Sequence, residues 1–183
     1  MNLADFFKAN GMSYESVPVE TNSEADAAYL AGRCDIYTTD ASGLYASRAG
    51  YPDPSAHVVL PEIVSKEPLG PSVRGNDSEW ADVVRWSLNA MIIAEEKGIT
   101  SGNVDDMIAN SPDPETQRLL GVKAGYGAWL GLDDDWAANI IRQVGNYSES
   151  FEKHIGVNTP INIARGLNAL YKDGGILYAP PFR

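Results

Sequence analysis

Apolar positions recur along this chain with two different periods. Leu3, Phe6 and Phe7 stand at helical spacing, and Gly11 after Asn10 is a natural stop for that helix. Residues 14–20 alternate in the manner of a half-buried strand, which Pro18 places at a sheet edge. Asn22 or Ser23 then caps a short helix over 24–31 that ends at Gly32. Cys34 to Thr39 reads as a compact strand running into Asp40, and a helix over 41–49 stops at Gly50. His57 to Leu60 is a third strand. The order is α-β-α-β-α-β, the rhythm of an open α/β sheet, although the strand with which such a sheet normally begins is absent.

From Pro61 to Arg74 the pattern changes to extended segments punctuated by Pro68, Gly70 and Pro71, a connector followed by a short strand. Beyond Asn76 the chain reads mostly as helix. Trp80, Val83, Val84, Leu88, Met91 and Ile92 form one apolar face, capped by Asn76 or Asp77 and ended by Gly98. Shorter helices start at Asn103 before Asp106, at Asp113 before Pro114 and at Thr159 before Pro160. Asp133, Asp134 and Asp135 open a helix around 136–144, and Asn146 with Glu149 opens the next.

Charge narrows the partners. The 183 residues carry 14 Lys and Arg against 25 Asp and Glu, a formal net charge of −11, which argues against binding nucleic acid, since phosphate contacts need clustered bases. No run of 18 apolar residues is long enough to span a bilayer. Met1 to Lys8 has neither a basic region nor an apolar one, so no signal peptide is expected at this terminus, and the chain as it stands reads as cytoplasmic. A single cysteine, Cys34, and two histidines, His57 and His154, leave no disulfide framework and little material for a metal centre; neither a metal nor a cofactor is expected.

Asp40 is the most informative candidate. It lies where a strand gives way to a helix, the place where open α/β sheets hold ligand-contacting groups. Its carboxylate suits either of two compatible roles, acceptor for a cationic ammonium group or helix N-cap. Thr38 and Thr39 beside it offer hydroxyls to a polar ligand, or serve as strand formers. Cys34 reads as a packed thiol, and both histidines as surface or capping groups. The three aspartates 133–135 are explained by capping and the helix dipole. The glycines of 121–127 follow no strand, so a phosphate cradle is weakly supported. Most of the aromatic residues, Trp80, Trp86, Trp129 and Trp136 among them, are expected in the core. No nucleophile or metal motif of a known catalytic type is present, and the chain is not read as an enzyme.

Several stretches carry a likeness to a family. The segments 32–46 (GRCDIYTTDASGLYA), 59–71 (VLPEIVSKEPLGP), 130–139 (LGLDDDWAAN) and 164–171 (ARGLNALY), with the ending 180–183 (PPFR), resemble the periplasmic solute-binding proteins of polar amino-acid ABC uptake systems, of the general L-amino-acid-binding type. The resemblance implies a periplasmic-binding-protein-like (type II) α/β fold, incomplete at its N-terminus and carrying a helical C-terminal extension. Residues 1–62 would be the second lobe without its first strand, 63–75 a hinge crossover and short strand, and 76–183 the C-terminal part of the first lobe plus the extension. It implies periplasmic location, an L-amino acid as ligand and ABC transporter membrane subunits as partners of the full-length family. Asp40 matches the family aspartate that pairs with the ligand α-ammonium group. The family arginine that grips the α-carboxylate, and the Gly- and Thr-rich loop that assists it, belong to portions with no match here. An amino acid leaving water needs both charges met, so weak or lost binding is expected. A homodimer that completes the open sheet is a further expectation. Two rival functions follow: a structural remnant that oligomerises without ligand, and a dehydratase-type enzyme, for which nothing beyond Asp40 nominates an acid.

Overall fold

The computed structural model describes residues 2–66, 69–123 and 126–182. The chain divides into two compact units, Met1–Gly70 and Pro71–Arg183.

The first unit contains α1 (Asn2–Ala9), α2 (Asn22–Leu30) and α3 (Ala41–Ala49). At the end of α1 the chain turns through Gly11 at φ +65°, a left-handed conformation that glycine adopts without steric penalty. The Met12 N–H then donates to the Phe7 carbonyl at 2.9 Å, and Tyr14 packs on the Phe7 ring with centroids 4.6 Å apart. The cap of α2 is Thr21, one residue before the expected pair. Its hydroxyl accepts the Glu24 N–H at 3.2 Å while the Glu24 carboxylate accepts the Thr21 N–H at 3.2 Å, a reciprocal capping box.

The three expected strands are not formed. Residues 14–20, 34–39 and 57–60 are irregular, and among the described residues no backbone ladder joins them. Alternation specifies which face a strand would bury, but a strand exists only when a neighbouring backbone completes its hydrogen bonds. None of these segments supplies a ladder to another. Their apolar side chains stay in water: Ile36 is 66% exposed and Val58 76%. Ala28 is the one buried residue described in this unit. The short strand expected before Arg74 is likewise unformed at 69–74, and Glu67 and Pro68 lie outside the described residues.

The second unit is built on α4 (Ser78–Glu96), started by Asp77, whose carboxylate accepts the Trp80 N–H at 3.0 Å. Around it lie α5 (Val104–Asn110), α6 (Pro114–Leu119), α7 (Trp136–Val144) and α8 (Tyr147–His154), with α7 and α8 packed on α4. Ala90, Ile93, Ala94, Ile99, Leu119, Leu120, Ala137, Ala138, Ile141 and Leu170 form the core. The helix expected from Thr159 is instead a turn. The Thr159 hydroxyl and N–H both donate to the Gly156 carbonyl, and Asn162 at φ +57° turns the chain back so that the Ile163 N–H reaches the Ile155 carbonyl at 2.9 Å. A left-handed residue two positions after Pro160 is incompatible with a helix. The final arm then crosses the unit: Leu170 bridges to Leu177, and Phe182 is buried against Trp86, Tyr126 and Trp136.

Candidate functional site

Thr38, Thr39 and Asp40 form a continuous exposed stretch leading into α3. Asp40 occupies the N-cap position with extended backbone, φ −54° and ψ +138°, and its carbonyl accepts the Leu44 N–H at 2.9 Å. Its carboxylate caps nothing. The residue therefore takes the cap's place in the backbone without the cap's side-chain bond, at an exposed position. The positive end of the α3 dipole favours a negative charge at this position. Thr39 points its methyl back over the first turn of α3, 3.5 Å from where a Gly43 Cβ would lie. That distance is an ordinary van der Waals contact, so the position tolerates a small side chain.

What holds α3 in place was not readable from residue spacing. Asp26 on α2 accepts a 2.7 Å hydrogen bond from the Tyr51 hydroxyl and a longer 3.5 Å one from the Ser47 hydroxyl of α3. Burial, followed by the hydrogen bond to Asp26, pushes the Tyr51 phenol up, and burial with the Asp26 charge raises Tyr37 as well. His57, expected as a surface or capping group, is half-buried between rings. Its Nδ1 lies 2.9 Å from the Tyr29 hydroxyl, and its ring meets Tyr51 edge-on at 4.9 Å. This Asp–Tyr–His cluster ties together α2, α3 and the start of the 57–60 segment. Its partners are 25 and 28 residues apart in pairs, so no local pattern announces it.

The remaining candidates have structural roles. Cys34 is a half-buried free thiol. Asp135 holds the N-cap position of α7 without a side-chain bond, and Asp134 accepts the Gly127 N–H at 3.1 Å. The expected capping role of this acidic run is therefore replaced by tying the 127 loop to the start of α7. Gly121, at φ +77°, and Gly127 both lie where a Cβ would collide with the backbone of 133–135. Close backbone approach explains these glycines without a phosphate; Ala124 and Gly125 of the same stretch lie outside the described residues. Of the four tryptophans, Trp136 is buried at 6% and Trp86 half-buried, whereas Trp80 and Trp129 are 54% and 82% exposed. Those two depart from the expected core placement because no described element covers them. Among the described residues no group of His, Cys, Asp and Glu is arranged to hold a metal ion, and no helix is long and apolar enough to cross a membrane.

No family model matches the chain. Individual proteins do. It is 56% identical to the general L-amino acid-binding periplasmic protein AapJ of Rhizobium johnstonii, covering 100% of this chain and 54% of that protein. It is 53% identical to the glutamate/glutamine/aspartate/asparagine-binding protein BztA of Rhodobacter capsulatus, with 100% and 54% covered. Among solved structures, an ABC transporter periplasmic binding protein from Brucella ovis with glutathione bound superposes with a TM-score of 0.92 at 53% identity, covering 100% of this chain and 57% of that one. The relatives are binding proteins by name, not enzymes. The chain spans about half the length of the curated relatives it matches. It belongs, as a partial chain, to the periplasmic binding proteins of polar amino-acid ABC transporters.

Proposed function

We propose that this chain contributes the ammonium-binding side of an amino-acid site in a periplasmic ABC uptake system. Asp40 receives the α-ammonium group of the ligand, and the Thr38 and Thr39 hydroxyls add polar contacts. The observation that carries the reading is the exposed Asp40 at the start of α3, in the N-cap position yet capping nothing. The names of the relatives support an L-amino acid, acidic or amidic, as ligand. The glutathione held by the Brucella ovis protein is consistent with the same chemistry, since its glutamyl end carries a free ammonium and carboxylate. The reading includes pairing of a second copy with the open extended segments of the first unit, which gel filtration checks. A non-binding remnant is the rival, favoured by the near absence of buried residues around Asp40 in that unit.

Isothermal titration calorimetry against glutamate, glutamine, aspartate, asparagine and glutathione decides between them. A hydrogen bond between charged partners contributes about 1.5 to 3 kcal/mol. Asp40→Asn should therefore weaken binding by about ten- to a hundredfold. Silence across the panel from protein with a normal circular dichroism spectrum would leave the remnant reading standing.

A further inference from the structure

The last turn of α4, the start of α6 and the final arm border a cavity of about 200 Å³, lined by Ile93, Glu96, Lys97, Glu115, Tyr171 and Tyr178 among others. That is smaller than the roughly 300 to 1,000 Å³ of pockets for drug-sized ligands, so it suits one small group. The rings of Tyr171 and Tyr178 meet at 73° with centroids 5.2 Å apart, yet remain 49% and 67% exposed. Such a contact uses one ring face, and the other faces carry the negative side of the ring quadrupole, which attracts cations.

Charge around the cavity is uneven. Lys97 Nζ lies 2.7 Å from Glu115 and 3.1 Å from Asp113, shared between the two carboxylates, and Glu95 is matched by Arg165. The Lys172 ammonium donates to the Glu96 carbonyl at 2.8 Å. Among the described residues the Glu96 carboxylate belongs to no ion pair. Its Oε1 accepts a 3.2 Å hydrogen bond from the neutral Tyr171 hydroxyl. Glu96 is also the last residue of α4, where the negative end of the helix dipole favours positive charge.

We propose that this cavity binds a small guanidinium cation, stacked on a tyrosine face with its N–H groups directed to the Glu96 carboxylate. A guanidinium is planar and weakly hydrated, so it can stack on a ring while its edge donates two bonds to a carboxylate. An ammonium group keeps its water more strongly, and the carboxylates that would best hold one are already taken by Lys97. The cavity lies wholly within the second unit, so its ligand is independent of the role given to Asp40.

The test titrates methylguanidinium chloride into the full chain carrying isotope-labelled tyrosine, followed by NMR. The ring signals of Tyr171 and Tyr178 are identified by their loss in the two Tyr→Phe variants. Saturable shifts of both, with a millimolar dissociation constant, are expected, and sodium chloride at equal ionic strength should not reproduce them. Glu96→Gln keeps an acceptor for the Tyr171 hydroxyl and removes the charge, so binding should weaken about tenfold. Tyr178→Leu should weaken it about two- to fivefold, and Asp40→Asn should leave it unchanged. A blocked Gly-Arg-Gly peptide should bind no more tightly than methylguanidinium. The proposal is overturned by the absence of saturable shifts in folded protein, by unchanged affinity in Glu96→Gln, or by equal binding of tetramethylammonium, which has no N–H to donate. Clearly tighter binding of the peptide would overturn the assignment to a small cation.

Discussion

Arg165 concentrates several interactions in one side chain. Its Nη2 lies 2.9 and 3.1 Å from the two Glu95 oxygens, its guanidinium also donates to the Asn168 carbonyl, and the rings of Tyr147 and Phe151 lie 5.4 and 5.3 Å away. Both side chains of the ion pair are mostly shielded, at 16% and 14% exposure. The final arm is thereby fastened to the last turn of α4. Removing one partner leaves the other charge sheltered and unmatched, which costs about 3 kcal/mol. Arg165→Met should therefore destabilise the protein by about that amount in urea titration. Adding Glu95→Leu to it should restore part of the loss; a double variant no more stable than the single would show that ring contacts, not charge, set the value.

At the scale of elements, the helix starts carry information in both directions. Asn146 opens α8 with a capping box, its side-chain oxygen accepting the Glu149 N–H at 2.9 Å. The same side chain, 4% exposed, donates from Nδ2 to the Ile99 carbonyl at 2.8 Å. Asn146→Ala should cost about 2 to 3 kcal/mol, a lost cap plus an orphaned carbonyl. Asn146→Asp keeps the cap and loses the donor, so its melting temperature should fall between the two. Asp113 starts α6. The Thr116 hydroxyl bond, joined by the Lys97 ammonium 3.1 Å away, draws its carboxyl from 3.8 down to about 2. A folded-state value below the unfolded one stabilises the protein above pH 3.8, and that contribution disappears as the pH falls toward 2. Asp113→Asn should flatten the loss of stability across that interval, seen in thermal melts from neutral pH downward. Its side chain is 39% exposed, so solvent screening keeps the effect modest.

For the whole molecule, the contrast between the two units has a measurable consequence. Protection against hydrogen exchange follows buried packing and protected hydrogen bonds. Amides of Ala90 to Ala94 and of Ala137 to Ile141, all within the core region of the second unit, should exchange slowest. Those of α2 and α3, in a unit whose one described buried residue is Ala28, should exchange orders of magnitude faster. Equal protection of α3 and of Ala90 to Ala94 in α4 would contradict the contrast in burial between the two units.

How much of this was legible in the sequence depends on how local its cause is. Helices α1 to α8 were set out by capping residues, apolar spacing and terminating glycines, because each depends on bonds within four residues of itself. The family relationship was legible too, in long segments such as 32–46 and 130–139, and so was the place of Asp40 at the junction before α3. Tertiary structure alone decided the rest. Whether alternating segments 14–20, 34–39 and 57–60 become strands depends on a backbone neighbour that periodicity cannot supply. Whether Asp40 caps its helix depends on where its side chain turns. That Gly121 and Gly127 admit the 133–135 backbone, that Phe182 closes the core, and that Trp80 stays in water are contacts between distant positions. Sequence patterning determined which faces are apolar; only the folded chain determined which of them find a partner, because burial is a property of two surfaces and a pattern describes one.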